Sequence, residues 1–124
     1  MARVYLDANY FIDLVEKRKS VSINQFVDYK LFLSPLSIHI YTYLYKIKLP
    51  NPKLQEIQAF INVVPIDEVI TSKSISGPTP DFEDNLQLHS SVSSECDYFL
   101  TNDKYLLSLR FFGKTQIVNR VSNQ

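Results

Sequence analysis

Residues 81 to 103 read DFEDNLQLHSSVSSECDYFLTND: an acidic helix start, a helix, a short β-run and a second acidic turn. Asp81, Glu83 and Asp84 crowd the first helical turn, where the partial positive charge of the unsatisfied backbone N–H groups stabilises them. Asp103 lies just past the β-run CDYFLT. The start of the chain has the same layout, since RVYLDANYFIDLV reads as a strand over residues 3 to 6, then Asp7 and Asn9, then a helix. Asp7 and Asp103 therefore occupy the same kind of place, the carboxyl end of a strand. In an open parallel sheet that is where ligands collect.

Composition narrows the classes. With 124 residues, 45% hydrophobic and 21% charged, the chain is expected to be a single domain, residues 1–124, able to bury one sizeable core. No apolar run approaches the roughly 18 residues of a membrane span, and MARVYLDANY reads as a strand rather than a leader, so the expected setting is cytoplasmic. Cys96, the only cysteine, can form neither an intrachain disulfide nor a cysteine zinc site. The two glycines, Gly77 and Gly113, leave no glycine-rich phosphate loop. A phosphatase whose first strand ends Asp-x-Asp is disfavoured because the second position is Asn9. A formal charge of zero argues against a uniformly nucleic-acid-attracting surface and leaves room for a local basic rim.

In chain order, a helix is expected over residues 10 to 18, with Phe11, Leu14 and Val15 on its apolar face and Lys17, Arg18 and Lys19 complementing its negative end. Ser22 caps a short helix, and residues 31 to 33 form a strand. Ser34-Pro35 opens a helix to about residue 48, with Ser34 as cap and Pro35 at the first position. Tyr41, Tyr43 and Tyr45 cannot all share one face of it. Expected next are a helix over residues 53 to 60, which with Ile61 sends Ile57 and Phe60 to the core, a strand over 63 to 66, and a short helix capped by Asp67. A loop over 71 to 80, a short helix from residue 104 ended by Gly113, a strand over 116 to 118 and a polar tail complete the chain. Alternating strands and helices predict an α/β fold, a parallel twisted sheet with helices on both faces.

Strand-LDAN-helix, SPLS opening a second helix, DFEDNLQL opening a late one and YFLTND after the last internal strand together resemble the PIN-domain ribonucleases, VapC-like toxins most of all. The resemblance spans nearly the whole chain. It implies a PIN-like three-layer α/β/α fold and an endoribonuclease dependent on Mg²⁺ or Mn²⁺. The carried-over acids are Asp7, Asp84 and Asp103, with Asn9 and Asn102 as polar helpers and Asp81 in support. It further implies RNA as substrate, a homodimer and a small antitoxin protein as partner. One position departs from the family: six residues after Ser34, where VapC-like proteins carry a Glu, stands Ile40. Ile40, Leu44 and Ile47 instead form an apolar stripe, which favours a core role there. The alternative is then a PIN-fold module that binds RNA or protein with weakened or no cleavage.

Three acids can perform metal chemistry only if they converge, because a hard divalent ion takes oxygen ligands at about 2.0 to 2.1 Å. Each acid also has an ordinary alternative role. Asp7 and Asp81 suit helix caps, and Asn102-Asp103 suits a turn. Asp84 sits inside the helix, where Asp is a mediocre helix former. His39 and His89 are the only histidines, and His89 lies about 140° around the helix from Asp84, a poor placement for a shared metal.

Overall fold

Along β1 (Ala2–Leu6) successive side chains enter two different apolar clusters, Val4 and Leu6 one, Tyr5 the other. β2 (Tyr29–Leu33) repeats this with Leu31 and Leu33 against Phe32, and β4 (Tyr98–Leu100) with Leu100 against Phe99. A sheet apolar on both faces must be covered on both. α1 (Ala8–Val15), α2 (Pro35–Leu44) and α3 (Pro52–Gln58) bring Phe11, Leu14, Tyr41 and Leu54 to the first cluster. α4 (Glu68–Ser76), α5 (Phe82–Ser93) and α6 (Lys104–Leu109) bring Ile70, Leu86, Leu88 and Leu106 to the second. This is the three-layer α/β/α arrangement expected from the sequence. The computed structural model describes residues 1–122; residues 123 and 124, the end of the expected polar tail, lie outside the described residues.

With β3 (Ile61–Val63), β5 (Phe111–Phe112) and β6 (Thr115–Val118), the sheet order is β3-β2-β1-β4-β6-β5. Every pairing is parallel except β5 with β6. The chain winds outward from β1 through β2 to β3, then crosses to the other side of β1 to place β4. That reversal lies between the carboxyl ends of β1 and β4, and the crevice it opens is the one doubly wound sheets use for ligands. Phe99, fully buried and stacked on Tyr5 with ring centroids 5.4 Å apart, sits beneath it.

Several elements differ from expectation. α4 continues to Ser76, through most of the stretch read as a loop. Its hydroxyls are satisfied within the helix, Thr71 donating to the Asp67 carbonyl at 2.8 Å and Ser74 to the Ile70 carbonyl at 2.7 Å, so a Ser/Thr-rich segment stays helical. Gly77 ends it at φ +137°, a region open to glycine. α1 stops at Val15, so the three basic residues lie beyond its last turn; Arg18 and Lys19 reach back to buried Asp13 at 2.9 and 3.5 Å.

Ser34 makes no side-chain cap, because its own carbonyl takes the Ser37 N–H at 3.1 Å. α2 ends at Leu44, four residues short, and Leu44 is 60% exposed, so the apolar stripe breaks there. Of the tyrosines, Tyr41 is buried and Tyr43 is 74% exposed. β3 begins at Ile61, two residues early, and Phe60 turns outward. Arg110, at φ +66°, ends α6 in place of Gly113, which serves the turn between β5 and β6. Val121, in the expected polar tail, is buried in the first cluster.

Candidate active site

Asp7 follows β1 and caps α1, its Oδ1 accepting the Tyr10 N–H at 2.8 Å. Its Oδ2 accepts the hydroxyl of Thr101, at the end of β4. The Thr101 oxygen in turn accepts the Asp103 N–H at 3.0 Å, and Asp103 Oδ1 caps α6 by accepting the Leu106 N–H at 2.9 Å. Asp81 caps α5 through the Asp84 N–H at 2.8 Å. The caps weighed for Asp7 and Asp81 are therefore real, whereas Asp103, weighed as a turn residue, is the cap of α6; each acid is oriented by its cap.

Asp84 differs. Half-buried in the first turn of α5, its carboxylate accepts no hydrogen bond among the described residues. Burial, then the charges of Asp81, Asp103, Glu83 and Asp7, push its carboxyl up to about 6. Burial also raises the Asp7 carboxyl, and the Asp103 charge adds to this, against the pull of the Thr101 hydroxyl and the Tyr10 N–H. Glu83 is raised too, by burial and by Asp81. Carboxylates that share a site while short of positive charge hold protons in this way.

The three acids named from the sequence thus come to one crevice, near enough to feel one another's charge. They do not close on a common point: among the described residues no group of three or more His, Cys, Asp or Glu side chains is gathered to hold a metal ion. The cause is visible in the caps. Asp7 spends both oxygens on Tyr10 and Thr101, and Asp103 turns toward α6. An all-oxygen donor set with excess negative charge still fits a hard divalent ion of the Mg²⁺ kind, which keeps several waters and needs only one or two direct carboxylates. Asn9 and Asn102 are exposed flanking residues.

Neither histidine enters the crevice. His89 Nε2 lies 2.9 Å from the Gly77 carbonyl with its ring edge-on to Phe112, and exposed His39 stacks on Tyr43.

A chain of a solved structure, described as VapBC2 from Rickettsia felis bound to a DNA fragment from their promoter, shares the fold, with a TM-score of 0.68 at 12% identity over 96% of this chain and 99% of that one. The fold is PIN-like. At that identity the likeness concerns the fold alone. No family profile and no curated protein matches the sequence.

Three residues of this neighbourhood escaped the sequence reading. Thr101 was legible only as part of a polar strand end. Gln87, buried on α5, accepts the Ala8 N–H at 2.8 Å. Asn85, also buried, accepts from the Thr79 N–H and hydroxyl and donates to the Ser74 and Thr79 carbonyls, all at 2.7 to 2.9 Å. It clips the loop before α5 in place. A polar residue on the buried side of a helix, as at positions 85 and 87, was the available signal.

Proposed function

We propose that this protein is a divalent-metal-dependent endoribonuclease, the toxin of a toxin–antitoxin pair. The observation that carries the proposal is Asp84, a carboxylate with no hydrogen-bond partner among the described residues, set among four other acids with its carboxyl raised to about 6. Such a group is costly as an anion unless a cation joins it. Asp7, Asp84 and Asp103 would hold Mg²⁺ or Mn²⁺, with Asp81, Asn9 and Asn102 in support. The ion, when bound, supplies a water of lowered pKa and neutralises charge on the scissile phosphate. The chain itself orients the site: Thr101 holds Asp7, and Asp81 anchors the turn that carries Asp84. With both histidines engaged elsewhere, no imidazole serves as base.

The fold shared with a VapBC2 chain supports a place beside an antitoxin, and exposed Tyr43 and Leu44 on α2 suit a homodimer. We read the chain as one domain acting in the cytoplasm; among the described residues no helix is long and apolar enough to cross a membrane. A second reading draws on Ile40, which packs against the first apolar cluster where a carboxylate would be expected: a PIN-fold module that binds RNA or protein and cuts weakly or not at all.

Cleavage of single-stranded RNA with Mn²⁺, with chelator and in Asp84→Asn tests the proposal. Metal-dependent cutting abolished by the substitution is the expected result. Cutting that persists in chelator or in the variant would overturn it, and Mn²⁺ uptake without cutting would select the second reading.

A further inference from the structure

Gln87 interrupts an apolar run of α5, between buried Leu86 and Leu88, and is itself only 3% exposed. Three residues beyond Asp84, it lies on the same side of the helix, one turn along. Its Oε1 accepts the N–H of Ala8, the residue that opens α1 directly after Asp7. That N–H is among those a helix start cannot satisfy internally. Because only an acceptor can meet it, the bond settles which way the amide points, oxygen toward Ala8 and nitrogen away.

The nitrogen makes no hydrogen bond among the described residues. Nor is it among the sealed side-chain atoms that lack a hydrogen bond, which among the described residues are the Tyr5 hydroxyl, Asp13 Oδ2 and the Ser34 and Ser37 hydroxyls. Its N–H donors are therefore unbonded and not wholly sealed, on a side chain that ties the helix of Asp84 to the helix start beside Asp7. The charged groups that act on neighbouring Asp84, namely Asp81, Asp103, Glu83 and Asp7, offer only acceptors when ionised, and the Thr101 proton is committed to Asp7.

Resting on the nuclease reading above, we infer that Gln87 spaces Asp84 against Asp7 through its oxygen and donates through its nitrogen to a non-bridging oxygen of the RNA phosphodiester. A neutral amide suits the second task. An ammonium in the same place would pair with the carboxylates and compete with the metal ion, whereas an amide gives an approaching phosphate its hydrogen bond and leaves the acids' charge intact.

Two variants separate the tasks. Gln87→Glu keeps an acceptor for Ala8 and removes both donors, whereas Gln87→Leu removes acceptor and donors together. In calorimetric titration Gln87→Leu should bind Mn²⁺ about tenfold more weakly than the parent, as expected for loss of a group that orients ligands. Gln87→Glu should bind Mn²⁺ at least as well as the parent, yet at saturating Mn²⁺ its kcat on single-stranded RNA should fall about tenfold. In Asp103→Asn saturated with Mg²⁺, the Gln87 side-chain amide protons should shift on adding short RNA while the Ala8 amide stays in place. Parent-like cutting by Gln87→Glu, or amide protons that RNA leaves unmoved, would overturn the donor role. Parent-like Mn²⁺ binding by a folded Gln87→Leu would overturn the spacing role. A parent that neither binds Mn²⁺ nor cuts RNA removes the nuclease reading itself, a result distinct from both.

Discussion

The hydroxyl of Thr101 donates to Oδ2 of Asp7, joining the carboxyl ends of β4 and β1. In Thr101→Val the shape remains and the bond goes, leaving a buried carboxylate oxygen without its donor, at a cost of about 1 to 3 kcal/mol. Loss of a bond to the charged form also lifts the Asp7 carboxyl further above its ordinary range. Denaturant unfolding and carboxyl-carbon NMR titration check both effects. Thr101→Ser should restore the titration, and a lost stability with an unchanged Asp7 titration would mean that Thr101 merely packs.

Stability without metal should depend on pH in a defined direction. The Asp84 carboxyl is raised from 3.8 to about 6 in the folded chain, so the folded state holds this proton more tightly than the unfolded state does. The resulting stabilisation is fully present below 3.8 and is lost as pH rises through about 6. Melting temperature should therefore be higher at pH 5 than at pH 7.5, and Asp84→Asn should reduce that difference. Asp7 and Glu83, also raised, leave a residual slope. Mn²⁺ affinity should climb through the same interval, since the ion must displace the proton.

Asp103 has a cap to make as well as a proposed ion to hold, and substitution can part the two. Asparagine caps as well as aspartate, so Asp103→Asn should keep α6 and lose Mn²⁺ affinity. Asp103→Ala should lose both, with about 0.5 to 2 kcal/mol of stability. Circular dichroism melts beside calorimetry distinguish them. Equal Mn²⁺ binding by parent and Asp103→Asn would leave Asp103 as a cap alone.

Ile40→Glu should lower the melting temperature, because the carboxylate would enter a partly buried position packed against the first apolar cluster. Ile40→Val, nearly isosteric, should cost only about 0.5 to 1.5 kcal/mol. A gain in Mn²⁺ affinity in the Glu variant would instead show that this side chain reaches the crevice.

β1, β2 and β4 were legible because their apolar runs are short and end at polar helix starts, whereas β3 begins two residues early and β5 falls in a stretch read as helix. The caps Asp67 and Asp81 announce the helices they start. The second half of α4 was not, since Ser and Thr signal a loop when their hydroxyls seek the backbone, and nothing local reveals that they find it one helical turn back. The acids of the proposed site were legible by residue type and by their places at strand ends and a helix start. Their separation was not, because it depends on hydrogen bonds from Tyr10, Thr101 and Leu106 that form only once three distant segments have met. Leu44, read as core from its helical spacing with Ile40 and Ile47, and Phe60, read as core beside Ile57 and Ile61, both face outward, since an apolar residue at a helix end has no obligation to be covered.

Asp7 starts a helix of one layer and Asp84 lies in the first turn of a helix of the other, so the crevice runs along a seam, bridged at Gln87 and Ala8. A slight slide of one layer over the sheet would leave both apolar clusters packed and most of the ladder intact, yet draw the two acids apart. Openings of this local kind take less free energy than global unfolding. On slow warming the ion should leave before the helices melt, and over that span of temperature the protein would be folded, recoverable and idle.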